Sequence, residues 1–474
     1  MMKFVNRQPE LKFFENKYLS NNAELIILYG RRRIGKTELL LQFIKNKKAL
    51  YFLGRLESKK DTIKRFNYLL IDFFKDTELV KTSLKDFDDI FGYLAEKSKK
   101  SRLVVVMDEF PFIIEKFPEV ISVLQDKWDS LLKETKIMLV LSGSSVSMME
   151  KYALDYKSPL YGRRTGQWLL DKLGIECLKE FLPYSIQDLV LVYSCLDTIP
   201  GYLVKFSPEV DVWRNIKDKI LSKGEFLYDE VEVLLREELR DPSNYMSIIS
   251  SIAGGTTTFN EIYTRTQLDK SLLSKYLFIL EKLGIVEKIV PVTETYKGKL
   301  KAKGALYFLR DNFFDFWFKF VYLNKQQLEA GKTELVLEDI RNNDYVAKKF
   351  ELFVKEAAPK LRIMEITRIG KWWHKDKEID IVALNEKTKE ILFCECKWQD
   401  RVNAEKVLQE LKEKAEFVDW NKQGRKEYYA VFAKSFNKKI KEKNIFCFDL
   451  RDLENLKSLG KGIKSYVKSY CVAQ

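Results

Sequence analysis

The chain has 474 residues, 46% hydrophobic and 13% aromatic, with 83 Lys and Arg against 69 Asp and Glu, a net charge of +14. That length predicts roughly two to four folded domains, and the basic excess favours a polyanionic partner such as nucleic acid or an acidic surface. Six cysteines without a C-x-x-C pair and one histidine, His374, exclude zinc fingers and ribbons, which need closely spaced Cys and His ligands.

The start, Met1-Met2-Lys3-Phe4, lacks the apolar stretch of a signal peptide, and no later apolar run is long enough to span a membrane. A cytoplasmic chain with reduced thiols and no membrane partner is expected. Leu25-Ile26-Ile27-Leu28-Tyr29 reads as a buried strand. It leads into Gly30-Arg31-Arg32-Arg33-Ile34-Gly35-Lys36-Thr37, which fits the phosphate-loop pattern G-x-x-x-x-G-K-[ST], and then into a helical pattern over residues 37–44. Strand, glycine loop and helix in that order turn backbone N–H groups and the positive end of a helix toward phosphates. There Lys36 reaches the β- and γ-phosphates of ATP, and the Thr37 hydroxyl ligates Mg²⁺.

Residues 49–53 form a second strand. Leu103-Val104-Val105-Val106-Met107 forms a third and delivers Asp108 and Glu109 to the C-terminal edge of the sheet. Asp108 is placed to hold Mg²⁺ through a water, and Glu109 to orient and deprotonate the attacking water. Ile137-Met138-Leu139-Val140-Leu141 is a fourth strand, ending in Ser142-Gly143-Ser144-Ser145. Either Ser142 or Ser144 is placed to hydrogen-bond the γ-phosphate or the water. Alternation of strands and helices up to about residue 175 predicts a parallel sheet with right-handed crossovers. Residues 176–240 read as helical.

Beyond them, Tyr245–Ala253 is a short helix, Thr258 caps a second, and Asp269 or Ser271 opens a third that Gly284 stops. Two strand-like runs follow, Ile285–Val292 and Leu306–Leu309, completing a winged-helix arrangement. Lys270, Ser271, Ser274 and Lys275 share the polar face of the third helix, and Lys297, Lys299, Lys301 and Lys303 alternate along the hairpin. Both sets suit phosphate contacts to DNA or RNA, which position without specifying sequence. Residues 313–320, apolar all round, read as a buried helix, and Asn324–Lys332 as a polar linker.

From about residue 340 the chain restarts with a helix over Tyr345–Lys360. Two strand-like runs then carry Asp380 and the trio Glu395-Cys396-Lys397 in a D-x14-E-x-K spacing. Strand alternation puts Glu395 and Lys397 on one face, and a hairpin brings Asp380 beside them. Two carboxylates suit Mg²⁺, and the lysine suits an attacking water or a pentavalent phosphate. Glu351 is a further candidate ligand and Gln409 a candidate orienting group. Cys394 and Cys396 read as small buried thiols.

Taken together, these motifs resemble the prokaryotic AAA+/STAND-type ATPases often called archaeal ATPases. Phe4-Val5-Asn6-Arg7-Gln8-Pro9-Glu10-Leu11 is similar to that family's opening signature F-v-[DN]-R-x-x-E-L. The arginine-rich phosphate loop, Ser142-Gly143-Ser144 and Pro159-Leu160-Tyr161-Gly162-Arg163-Arg164 match in order, and the resemblance covers essentially the full chain. It implies that Arg163, with Arg164 as the alternative, senses phosphate or acts as a finger, within the chain or across a homo-oligomer interface. Asp197-Thr198-Ile199-Pro200-Gly201-Tyr202-Leu203 resembles the family's G-G-x-P-x-Y-L, whose proline, here Pro200, approaches the base. Asp197 and Thr198 stand where the family has two glycines, a departure that bears on the lid's nucleotide contact. The Asp380, Glu395 and Lys397 set resembles the PD-(D/E)xK nuclease fold. Residues 370–398 also look like the C-terminal domain of unknown function attached to this ATPase family.

The expected class is α/β: a P-loop NTPase parallel sheet over residues 1–175, a helical lid over 176–240, a winged helix over 241–323 and a restriction-endonuclease-like domain over 340–474. The expected function is Mg²⁺-dependent ATP hydrolysis that controls nucleic-acid processing by a nuclease. The alternative is a non-cutting nucleotide switch that binds DNA or a protein partner and carries an inactive nuclease fold.

Overall fold

The computed structural model describes residues 4–239, 241–294 and 304–454. The chain divides into two compact units, one built from the stretch up to Leu173 together with Ile199–Gly201, the other from the remainder. Lys297, Lys299, Lys301 and Lys303 lie outside the described residues, as does Cys471. None of the five described cysteines is joined in a disulfide.

In the first unit, β1 (Glu24–Tyr29), β2 (Ala49–Leu53), β3 (Leu103–Asp108), β4 (Ile137–Gly143) and β5 (Gly166–Leu169) form one sheet in the order β2-β3-β4-β1-β5. Every neighbouring pair is parallel. Continuous apolar runs suit this sheet because helices cover both faces. Alternation sends Leu25 and Ile27 of β1 to one core with Phe66, Leu94 and Leu124, and Ile26 and Leu28 to the other with Phe14, Leu40 and Phe43. In chain order β2 follows β1, yet β4 and β3 lie between them, so the strand C-termini of β1, β4 and β3 stand side by side. Open parallel sheets bind ligands at such an edge. The edge strand β5 is short, with half-exposed and exposed residues alternating, and the continuous-apolar criterion passes over it.

The second unit begins with helices, among them Ile186–Leu196 and Phe226–Glu238. Three further helices follow, Ser243–Ala253, Phe259–Thr266 and Lys270–Lys282. The Thr258 side chain accepts from the backbone of Glu261, whose carboxylate returns to the backbone of Thr258, a complete capping box. The antiparallel pair β6 (Val286–Ile289) and β7 (Leu306–Leu309) comes next. Phe313, Phe316, Trp317, Phe318 and Phe320 are all fully buried, and Trp317 Nε1 donates to the Tyr228 carbonyl at 2.7 Å. The stretch read as a linker is instead helical over Lys325–Glu329, followed by a helix over Thr333–Asn342. Leu328 is buried and fixes it, while polar Gln326 and Gln327 obscured that single anchor.

Helix Tyr345–Leu361 then precedes a second sheet. Its strands β8 (Arg368–His374), β9 (Lys377–Asn385) and β10 (Glu390–Lys397) are antiparallel neighbours. A small parallel pair, β11 (Val402–Asn403) and β13 (Phe436–Lys438), stands apart. Beyond β10 the main sheet continues in parallel through β12 (Lys426–Ala433) and β14 (Ile445–Phe448). Helix Ala404–Ala415 presents Leu411 and Ala415 to the same core as Ile391 and Phe393 of β10.

Candidate functional site

The phosphate loop leaves β1 at Gly30, whose φ is +153°, and a Cβ there would lie 2.3 Å from the Leu170 carbonyl oxygen. Arg33 takes a left-handed φ of 70°, and Gly35, at 90°, caps helix Lys36–Ile44. Two braces hold these turns. Arg7 Nη2 donates to the Ile34 carbonyl at 2.8 Å, with Nη1 on Glu10 at 3.0 Å. The Gly201 N–H donates to the Arg33 carbonyl at 2.9 Å, so Pro200 enters the turn that lies against the loop. A Cβ on Gly201 would lie 2.7 Å from that of Arg33. Lys36 is buried, and its Nζ donates to the carbonyls of Gly30 at 2.9 Å and Arg31 at 3.0 Å. A left-handed loop opening a helix, with an ammonium curled inside it, fits a chain of phosphates.

Across the sheet edge, fully buried Asp108 accepts Thr37 Oγ1 at 2.8 Å and Tyr51 Oη at 2.7 Å on the same oxygen, Oδ2. Its Oδ1 accepts the Glu109 N–H at 3.0 Å. Burial, then the Asp108 hydrogen bond, raises the Tyr51 phenol well above its ordinary range, so it stays a donor. Hard oxygens of a hydroxyl and a carboxylate at this separation fit Mg²⁺. Glu109 has a left-handed φ of 49°, an uncommon conformation for a residue with a side chain. The Ser144 hydroxyl donates to Glu109 Oε2 at 2.6 Å, and its N–H reaches the same oxygen at 3.3 Å. Ser142 Oγ is fully buried with no hydrogen-bond partner among the described residues. The two serines left open by the sequence therefore have different surroundings: Ser144 holds Glu109, and Ser142 carries an unspent hydroxyl.

Sequence reasoning passed over several residues here. Tyr51 lies mid-strand, Arg7 acts on a turn 27 residues away, and Gly54 looks like an ordinary strand exit. A Cβ on Gly54 would fall 2.4 Å from the Glu109 carbonyl oxygen, and its N–H donates to the Asp108 carbonyl at 2.7 Å. Only a glycine allows that approach.

Arg163 grips Asp129 through Nε, at 2.9 Å to each carboxylate oxygen, and its Nη1 donates to the Pro159 carbonyl at 2.7 Å. Arg164 donates to the Leu154 carbonyl at 3.0 Å and lies 4.8 Å over the Tyr161 ring. Burial, then the Glu150 carboxylate, raises the Tyr29 phenol, and the Arg164 charge opposes that rise.

In the second unit, Lys270 and Lys275 are exposed on the third helix of the set, and Lys270 Nζ sits 5.2 Å over the Tyr263 ring. The hydroxyl of Ser274 turns back to the Lys270 carbonyl at 2.9 Å. Phe278, on the same helix, is 58% exposed.

The β9–β10 register pairs Ile381 with Cys394, which sets Asp380 beside Glu395. Asp380 Oδ2 accepts the Cys396 N–H at 2.8 Å. Buried Glu395 takes Lys397 Nζ at 2.9 Å and, unforeseen from the sequence, Lys414 Nζ at 2.9 Å. Lys371 bridges Glu351 at 3.4 Å and Glu378 at 2.5 Å. Burial, then Glu351 and Glu395, push the Asp380 carboxyl up to about 7. Desolvation likewise raises Glu351 despite Lys371. Gln409 instead turns to Glu413 on its own helix at 3.3 Å. Among the described residues, Asp86, Asp88 and Asp89 are the group whose oxygens approach within 4.8 Å of one another. The Asp380 set is more open than that.

Residues 4–206 match the model of an ATPase domain predominantly from Archaea, and residues 317–408 that of archaeal and bacterial proteins of unknown function. An uncharacterized protein of Methanocaldococcus jannaschii is 35% identical over 460 residues, covering 95% of this chain and 99% of its own. An uncharacterized ATP-binding protein of the same organism is 62% identical over 45 residues, 10% of this chain and 76% of its own. A Walker-type ATPase of Pyrococcus abyssi shares the fold, with a TM-score of 0.51 at 22% identity over 67% of this chain and 96% of that one. No helix among the described residues is long and apolar enough to cross a membrane. With a relative aligned along nearly its whole length and the archaeal ATPase domain matched across the phosphate loop, this chain belongs to the archaeal ATPase family, joined to a C-terminal domain of unknown function.

Proposed function

We propose that the chain hydrolyses ATP with Mg²⁺ and that its nucleotide state controls nucleic-acid processing at the C-terminal domain. The observation that carries the first half is the meeting of Thr37 and Asp108 at 2.8 Å beside a phosphate loop that folds Lys36 inward. In this reading Lys36 exchanges the Gly30 and Arg31 carbonyls for phosphate oxygens. Thr37 and Asp108 hold Mg²⁺, which when bound offsets charge on the phosphates. Glu109, once released by Ser144, orients and deprotonates the attacking water, and Ser142 donates to the γ-phosphate or that water. Arg163 supplies transition-state charge after leaving Asp129, with Arg164 as the alternative, in this chain or in a second copy. The backbone beside Arg31, Arg32, Arg33, Ile34 and Gly35 lines the phosphates, and Pro200 stands near the base. The test is Mg²⁺-dependent phosphate release by the full chain, which Lys36→Ala abolishes; turnover equal to that of the unsubstituted chain would sink the reading.

The second half is supported by the register that sets Asp380 beside Glu395, with Glu351 near enough to help raise the Asp380 carboxyl. Asp380 and Glu395 would hold a divalent cation in a nuclease-like fold, which would supply Lewis-acid activation of a phosphodiester, with Lys397 facing the attacking water. The three helices and hairpin support a winged helix in which Lys270 and Lys275 contact nucleic-acid phosphates. Metal-dependent cleavage of DNA or RNA, lost in Asp380→Ala, tests this half. One observation favours a second reading, a non-cutting nucleotide switch: Glu395 already carries both Lys397 and Lys414. ATP-dependent nucleic-acid binding that persists in Asp380→Ala without cleavage by the parent chain decides for that reading.

A further inference from the structure

Tyr51 has no place in the phosphate-loop pattern, yet its hydroxyl sits 2.7 Å from Asp108 Oδ2, the oxygen that Thr37 also reaches. The register explains the reach. Leu53 of β2 pairs with Asp108 of β3, and Tyr51 lies two positions back on the same face. Its ring packs against the core shared by Leu40, Val106 and Val140, which aims the hydroxyl along the strand toward the carboxylate. Asp108 thus receives three donors, two hydroxyls on Oδ2 and the Glu109 N–H on Oδ1. Thr37 must turn a lone pair toward any bound cation, and Tyr51 is the donor free to stay in place while it does.

We propose that Tyr51 is a positioning residue for the divalent cation of the ATPase site, fixing the plane of Asp108 so that one oxygen faces the metal beside Thr37. This rests on the reading of Asp108 as a metal ligand. Outer partners of metal ligands set affinity by orienting them, and their loss typically costs about 10-fold or more. Tyr51→Phe keeps the packed ring and removes only the hydroxyl.

The experiment measures Mn²⁺ binding to the full chain by electron paramagnetic resonance in the presence of a non-hydrolysable ATP analogue. Affinity for the analogue without metal is measured in parallel. The expected result is Mn²⁺ binding weakened about 10-fold in Tyr51→Phe, with metal-free nucleotide affinity unchanged. If Asp108→Asn weakens Mn²⁺ and Tyr51→Phe does not, the inference is overturned while the reading of Asp108 stands. If Tyr51→Phe weakens metal-free and metal-bound nucleotide alike, the residue is merely structural and the inference is overturned. If Asp108→Asn leaves Mn²⁺ binding unchanged, the reading of Asp108 fails and the Tyr51 inference falls with it.

Discussion

Arg7 donates to the carbonyl of Ile34 at 2.8 Å, which ties the start of the first helix, Gln8–Leu19, to the phosphate loop. The guanidinium is 5% exposed and shares its charge with Glu10. It satisfies the carbonyl of Ile34, the residue after the left-handed Arg33. The opening signature therefore has a physical function: it holds the loop in its phosphate-ready shape. Removing a buried, charged hydrogen bond costs about 1.5–3 kcal/mol. Arg7→Ala is expected to weaken ATP binding about 10-fold or more, measured by fluorescent-nucleotide titration. Unchanged affinity would show that the loop keeps its shape without the brace.

Gly54 and Glu109 approach too closely for any side chain. The nearest oxygen would be 2.4 Å from an added Cβ and belongs to backbone, so β2 or the turn at Glu109 must shift. Gly54→Ala is expected to lower stability by about 1–3 kcal/mol. ATP turnover should drop further than stability alone explains, because the displaced turn carries the proposed base. Thermal unfolding alongside steady-state phosphate release separates the two. Normal turnover in a folded Gly54→Ala chain would refute the link.

Ser142 and Ser144 should respond in opposite ways. Ser142 Oγ is buried without a hydrogen-bond partner among the described residues, so its removal relieves a desolvated hydroxyl. Ser142→Ala is expected to keep or raise the melting temperature while lowering turnover about 10-fold. Ser144→Ala frees Glu109 from a 2.6 Å hydrogen bond, and is expected to cost stability while leaving turnover equal or higher. A fall in turnover for Ser144→Ala with none for Ser142→Ala would exchange their roles.

Asp380 makes stability depend on pH. Its carboxyl rises from the ordinary 3.8 to about 7 through desolvation and the nearby Glu351 and Glu395. Between those values the folded chain holds a proton that the unfolded chain has released. Stability contributed here is therefore intact below the lower value, falls as pH rises through the window and levels off above the upper one. Asp380→Asn is expected to flatten that slope and to be more stable than the parent at about pH 8. Denaturant unfolding across the window checks it, and parallel profiles for the two chains would contradict the shift.

How legible this was in the sequence follows from the range of each interaction. β1, β3 and β4 announced themselves because strands buried on both faces need unbroken apolar runs; the phosphate loop follows β1, and Asp108 and Glu109 sit at the end of β3. The short edge strand Gly166–Leu169 lacks that signal. The helix Lys325–Glu329 was hidden because one buried leucine sets its placement. Arg7, Gly54, Tyr51 and Lys414 act through contacts between distant segments, and no local pattern marks which partner a side chain will meet. In the C-terminal domain the D-x14-E-x-K spacing anticipated that Asp380 and Glu395 are neighbours. It had no means of showing that Lys414, one turn past Gln409 on its helix, reaches Glu395 instead.

The central claim is that this sheet edge binds ATP and that Glu109 drives its hydrolysis. The most direct measurement pairs nucleotide affinity with single-turnover hydrolysis in the full chain and in Glu109→Gln. The expected result is ATP affinity close to the parent's with turnover lowered about 10²–10⁴-fold, as for loss of a general base. Hydrolysis by Glu109→Gln at the parent's rate would contradict the assignment, and absence of ATP binding by the parent chain would contradict the whole reading of the site.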